Sequence, residues 1–166
     1  MKTILILLFM AVASSASSQK YFYLEEIKLR KKDDFKANEG NVIKATDYLL
    51  NTPIDEGNHD RKACMRFIIR YAEKISNITI TIDGAISKLS DGNGDLLIVY
   101  MGVWLKTSFV KPDADWNYQQ KEILTAIYKY VKSGNNVKSN SAIKKLIEAG
   151  DENKIDQFIK SYEPNK

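Results

Sequence analysis

The chain has 166 residues, a formal charge of +4 from 25 lysines and arginines against 21 aspartates and glutamates, one histidine, one cysteine and 44% hydrophobic residues. That length suits one domain with one sizeable core, and so small a charge bias argues against nucleic acid as a partner. A single histidine beside a single cysteine cannot assemble the usual zinc ligand sets.

Met1-Lys2 gives a positive start, Thr3 to Ala13 is an uncharged apolar run, and Ser14 to Ser18 is rich in small residues. These are the three parts of a secretory signal peptide, and the apolar run is about half of what a membrane span needs. Residues 1–18 are therefore set apart from the fold. Cleavage is expected near Ser18, leaving Gln19 as the new N-terminus, with a cut after Ala16 as the alternative. Removing Lys2 lowers the formal charge from +4 to +3, and residues 19–166 are expected to form one exported domain, periplasmic or secreted, that does not span a membrane. Export favours disulfides, yet Cys64 stands alone, so stability must come from core packing.

In chain order, residues 20–37 carry Leu24 and Ile27 at helical spacing. The cluster Lys28-Leu29-Arg30-Lys31-Lys32 reads as the solvated face of that helix. Val42, Ile43, Thr46, Leu49 and Leu50 form a second stripe, closed by Asn51-Thr52-Pro53. After a polar connection, Cys64, Phe67, Ile68, Tyr71 and Ile75 mark a third helix with Asp60 as its expected N-cap. Ile78-Thr79-Ile80-Thr81-Ile82 alternates as a strand would but has no partner run, which predicts an extended connector, with Asp83 capping a short helix through Leu89.

Leu96 to Leu105 is apolar all round, which predicts a central buried helix over residues 95–110, ended near Lys111-Pro112. Gly102 inside it is expected to let another helix approach closely. Ile123, Leu124, Ile127, Tyr128 and Val131 mark the next helix, stopped at Ser133-Gly134, with Lys129 and Lys132 opposing the negative end of its dipole. Ile143, Leu146 and Ile147 follow, with Gly150 as terminator. Asp151 is then expected to start a last helix bearing Ile155, Phe158, Ile159 and Tyr162. The expected fold is all-α, a single compact domain of about seven helices in antiparallel pairs around the apolar helix near 95–110.

One stretch hints at a metal. Asp91, Asn93 and Asp95 have the spacing that opens a calcium loop, but its sixth position is Leu96 where glycine is wanted, and its twelfth is Gly102 where a bidentate glutamate is wanted. The same residues suit a turn followed by a helix cap at Asp95, so no metal site is assigned and these three remain candidates only. No catalytic or cofactor-binding residue is assigned either. A His59–Cys64 pair is unattractive because Cys64 lies in register with the core, and the motifs of serine hydrolases, phosphate loops and dinucleotide sites do not occur. Loop carboxylates Asp55, Glu56, Asp113 and Asp115 could in principle form a glycan-hydrolysing pair, and Trp116 with Tyr118 a sugar platform. Isolated loop carboxylates are ordinary surface features, so these readings rank second.

The segments Asp47-Tyr48-Leu49-Leu50-Asn51-Thr52-Pro53, Arg66-Phe67-Ile68-Ile69-Arg70-Tyr71 and Gly94-Asp95-Leu96-Leu97-Ile98-Val99-Tyr100-Met101 resemble those of small exported all-helical bacterial proteins of uncharacterised function. The resemblance implies fold and compartment and carries no activity. The leading expectation is a non-enzymatic protein-binding module, without cofactor, whose partner is a protein of the cell envelope or outside the cell, as for an inhibitor or an immunity-like factor. A glycan hydrolase and a carrier of a small apolar ligand are the alternatives.

Overall fold

The computed structural model describes residues 20–162, so the signal peptide expected over 1–18 and its cleavage site lie outside the described residues. Within them the chain is all-helical and forms one domain: α1 (Tyr23–Glu26), α2 (Lys32–Leu50), α3 (His59–Lys74), α4 (Gly84–Leu89), α5 (Gly94–Val110), α6 (Trp116–Lys132), α7 (Ser141–Asp151) and α8 (Ile155–Lys160). Eight helices are seen among the described residues where about seven were expected, one for each segment taken in chain order, with the bounds of the first two and last two displaced.

α5 is the centre of the fold. It touches α2, α3, α4 and α6, and no residue from Leu96 to Leu105 is exposed. A helix without a polar face has to be covered on all sides, which the surrounding helices do. A Cβ built on Gly102 would stand 2.8 Å from Thr46 Oγ1 and 2.9 Å from Ile68 Cδ1. Absence of a side chain there is what lets α5 sink against α2 and α3, as the sequence predicted.

Five contacts fix the helix directions. Tyr48 of α2 reaches Asn58 at the start of α3, while the Tyr71 hydroxyl near the end of α3 donates to the Phe35 carbonyl near the start of α2, so these two are antiparallel. Arg61 faces Asp95, and Tyr71 packs edge-on against Phe109 with ring centroids 5.9 Å apart, which makes α5 parallel to α3. Gln119 Nε2 donates to Ser108 Oγ across the α5–α6 corner, and the two helices run antiparallel from there. Lys121 with Asp156 and Tyr128 with Asp151 tie α6 to α8 and α7.

Asp83 caps α4 by accepting from the Ile86 N–H at 2.9 Å, as expected, and residues 78–82 are a connector that belongs to neither helix nor strand. Four local expectations are corrected. Residues 20–37 are not one helix: α1 stops at Glu26, Leu29 is buried on non-helical backbone, and Asp34 Oδ2 accepts from the Arg30 and Lys31 N–H groups to start α2. The basic cluster therefore lies mostly on a connection rather than along a helix face. Asp60 is not the cap of α3, because Asn58 Oδ1 accepts from the Arg61 N–H while the Asp60 carboxylate accepts from Lys20 and Tyr21 N–H.

Asp95 is likewise inside the first turn of α5, whose N-cap position is Asn93. Gly150 does not end α7, and Asp151 is that helix's last residue rather than the first of the next. The chain leaves α7 two residues later, where Asn153 takes a left-handed φ of 56°. Gly150 serves packing instead, since a Cβ there would lie 2.3 Å from Tyr128 Cδ2.

Candidate functional site

The residues singled out for chemistry are dispersed. Asp55 and Glu56 sit in the α2–α3 connection, which Arg61 joins to the start of α5 by binding the Thr52 carbonyl and facing Asp95. Asp113 and Asp115 follow the other end of α5. A helix of 17 residues is about 25 Å long, whereas a glycosidase pair needs carboxylates roughly 5–9.5 Å apart. The two loops therefore cannot supply one carboxylate each. Asp55 accepts from the Gly57 N–H, and Asp115 caps α6 by accepting from the Tyr118 N–H at 2.7 Å. Trp116 packs edge-on against the nearly buried Trp104 at the α5–α6 corner, with centroids 5.4 Å apart, yet it stays as exposed as Tyr118.

His59 is exposed at the start of α3 and Cys64 is fully buried in the core. Burial pushes the Cys64 thiol up to about 12, against thiolate chemistry. In the Asp91 loop, the three calcium candidates do not converge. Asp91 is exposed, and Asp95 Oδ2 faces Arg61 Nε at 3.6 Å. The Asn93 carboxamide is taken up by the backbone of Lys138, accepting from its N–H at 2.8 Å and donating to its carbonyl at 2.9 Å. No group of three or more His, Cys, Asp or Glu residues is placed to hold a metal ion among the described residues.

Two features that sequence reasoning missed are the polar centres of the molecule. The first is Arg61, 1% exposed, whose Nη1 donates to the Leu49 carbonyl at 3.0 Å and the Thr52 carbonyl at 2.9 Å. Its guanidinium also lies 5.9 Å from the centre of the Tyr130 ring, and Tyr130 donates to the same Thr52 carbonyl. Arg61 thus closes the carbonyl end of α2 and holds the starts of α3 and α5 and the end of α6 together. Its register with Cys64 and Ile68 on the buried face of α3 was the available signal.

The second is an open trough made of two adjoining grooves that share Lys36, Glu39 and Asn77. One, of about 330 Å³, is lined by Arg30, Lys31, Lys32, Phe35, Tyr71 and Lys74; the other, of about 410 Å³, runs over Trp104, Phe109 and Pro112 beside Ile78 and Thr79. In the first groove five cations, Arg30, Lys31, Lys32, Lys36 and Lys74, face two carboxylates, Asp33 and Glu39. Lys36 and Glu39 pair at 3.0 Å. Half-buried Phe35 forms part of its floor, packed edge-on over the fully buried Tyr71, whose phenol is raised by burial and further by nearby Glu39. Such a surface can hold a length of chain through cations at its rim and an aromatic floor. No family model, curated protein or solved structure matches this chain.

Proposed function

We propose that the mature chain is a non-enzymatic protein-binding module that acts after export, in the periplasm or outside the cell, in the manner of an inhibitor or immunity factor. The observation that carries this reading is the trough. It is open, built from the start of α2, the end of α3, the first connector residues Asn77 to Thr79, the end of α5 and Gln119 of α6, and it does not close around a small volume. Small-molecule sites are concave pockets that bury most of their ligand, whereas an open trough leaves a ligand solvated along one side and suits a polypeptide segment. The three-part pattern of residues 1–18 supports export.

The test is affinity capture from an envelope extract with immobilised residues 19–166. One stoichiometric protein partner is expected, and empty captures across several salt concentrations would overturn the reading. Hydrolysis of cell-wall material that disappears on Asp113→Asn or Asp55→Asn would replace it with the glycan-hydrolase alternative.

A further inference from the structure

The connector between α3 and α4 has a composition that a solvated linker does not require. Ile78 and Ile80 are half-buried and pack on the core, Thr79 and Thr81 alternate with them toward solvent, and Ile82 is 57% exposed. That is the pattern of a strand lying on a protein surface. Its ladder is missing. Among the described residues the N–H groups of 77–82 donate to nothing, and of their carbonyls only that of Thr81 is engaged, by the Tyr100 hydroxyl. Proteins ordinarily cover or blunt such an edge, and strand addition is the established way for a partner to use one.

We propose that residues Asn77 to Ile82 are a docking edge for an acidic, extended segment of a partner protein. The segment adds alongside the connector as a strand and sets its carboxylates against Lys36, Lys74 and the run Arg30 to Lys32. This inference rests on the protein-binding reading and names where and what the module binds. Charge selects the occupant. Five cations against two carboxylates leave the adjoining groove three charges positive, so pairing with a second copy would bring two such clusters together, whereas an acidic strand neutralises one. Paired as a strand, the five residues from Ile78 to Ile82 span about 17 Å, enough for a partner strand of about five residues, and the bend at Asn77 brings its start beside the basic groove. Exposed Ile82 offers that strand an apolar contact at its end.

The probe is a soluble synthetic peptide of alternating threonine and glutamate, compared with the same peptide N-methylated at alternate residues and with its lysine counterpart. Titration into residues 19–166, followed by amide hydrogen exchange, is expected to protect every second amide within 77–82. Affinity should fall at least about tenfold on N-methylation and again when salt is raised to shorten the screening length from about 10 Å toward 3 Å. The double variant Lys36→Glu, Lys74→Glu, altered only at exposed positions, should lose the glutamate peptide while its melting temperature falls only by the few degrees that loss of the exposed Lys36–Glu39 pair brings. Saturating peptide without protection in 77–82, or unchanged binding to the double variant, would overturn the proposal. So would a dimer, formed without peptide, that protects the same amides. A partner captured equally by the wild-type and charge-reversed chains would preserve the protein-binding reading and overturn this edge.

Discussion

The Arg61 guanidinium, almost wholly buried, stands 3.6 Å from the Asp95 carboxylate, and that carboxylate is about one-third exposed. The pair is unequal. Arg61 also holds two backbone carbonyls at the end of α2, while Asp95 keeps access to water. Replacing Arg61 with Met should therefore be costly, because it orphans the Leu49 carbonyl and leaves the Thr52 carbonyl only its bond from Tyr130, and a loss of about 3 kcal/mol is expected. Arg61→Lys should recover only part of it, since one ammonium cannot reproduce the planar fork. Asp95→Asn should cost about 1 kcal/mol, because the arginine retains its carbonyls. Urea unfolding of the three variants checks the order, and a cost for Asp95→Asn equal to that of Arg61→Met would contradict it.

Two glycines inside helices should respond to alanine with opposite signs. At Gly102 the new methyl would meet Thr46 Oγ1 at 2.8 Å and Ile68 Cδ1 at 2.9 Å, an overpacking expected to cost about 1–3 kcal/mol. Gly40 lies within α2 with nothing within 4 Å of a Cβ, so Gly40→Ala should stabilise by about 0.5–1 kcal/mol through helix propensity. Thr46→Ala makes room for the methyl and removes a buried hydroxyl that has no hydrogen-bond partner. A double-mutant cycle of Gly102→Ala with Thr46→Ala should show favourable coupling, and additivity would mean that the clash is relieved elsewhere.

How far the chain could be read without its structure follows from what each feature depends on. α5 was legible because ten consecutive apolar residues leave a helix no solvent face, and Gly102 because a glycine inside such a helix has a packing reason. The Asn58 cap and the Asn93 N-cap position, whose side chain makes no capping bond, were not, because Asp60 and Asp95 are as good as cap residues in isolation and distant partners take the Asp60 and Asn93 side chains. Lys20 and Tyr21 take the Asp60 carboxylate, while Lys138 takes the Asn93 carboxamide. The division of residues 20–37 was hidden by charge, since the Lys31 to Lys36 stretch shows little apolar period. The trough was beyond reach for a simpler reason. Its walls come from residues near 30–39, 74–79 and 104–119, and nothing in the sequence announces that they meet.

Stability should fall on the alkaline side. Burial raises the Cys64 thiol to about 12 and also raises the phenols of Tyr71, Tyr100 and Tyr130. Each is neutral in the folded chain with a pKa above its unfolded value, so the unfolded chain loses its protons first. The stabilisation is complete below about pH 9 and is lost as pH climbs toward the folded values. Urea midpoints should accordingly decline from pH 9 upward. Cys64→Ala should flatten that decline between pH 9 and 12, at a cost of about 1 kcal/mol at neutral pH for the small cavity. The native thiol should resist alkylation at pH 8 and react after unfolding. Rapid labelling without unfolding would contradict its burial.

The Asn93 side chain joins the start of α5 to the α6–α7 connection by two hydrogen bonds to the Lys138 backbone, at 2.8 and 2.9 Å, from a site only 6% exposed. Asn93→Ala should cost about 2 kcal/mol, since it leaves an N–H and a carbonyl of Lys138 unpaired. Asn93→Asp should cost at least as much, because the carboxylate can accept from Lys138 but cannot donate to it. The same tie bears on calcium. The Asn93 oxygen already accepts from the Lys138 N–H, and the Lys138 ammonium lies 3.7 Å from where a Gly92 Cβ would stand, placing a positive charge beside the loop. Millimolar calcium should leave the melting temperature of residues 19–166 unchanged. A rise of several degrees that chelator reverses would require Asn93 to release Lys138 and turn its oxygen to the ion, and Asn93→Ala would then abolish the calcium response as well as lower the starting stability.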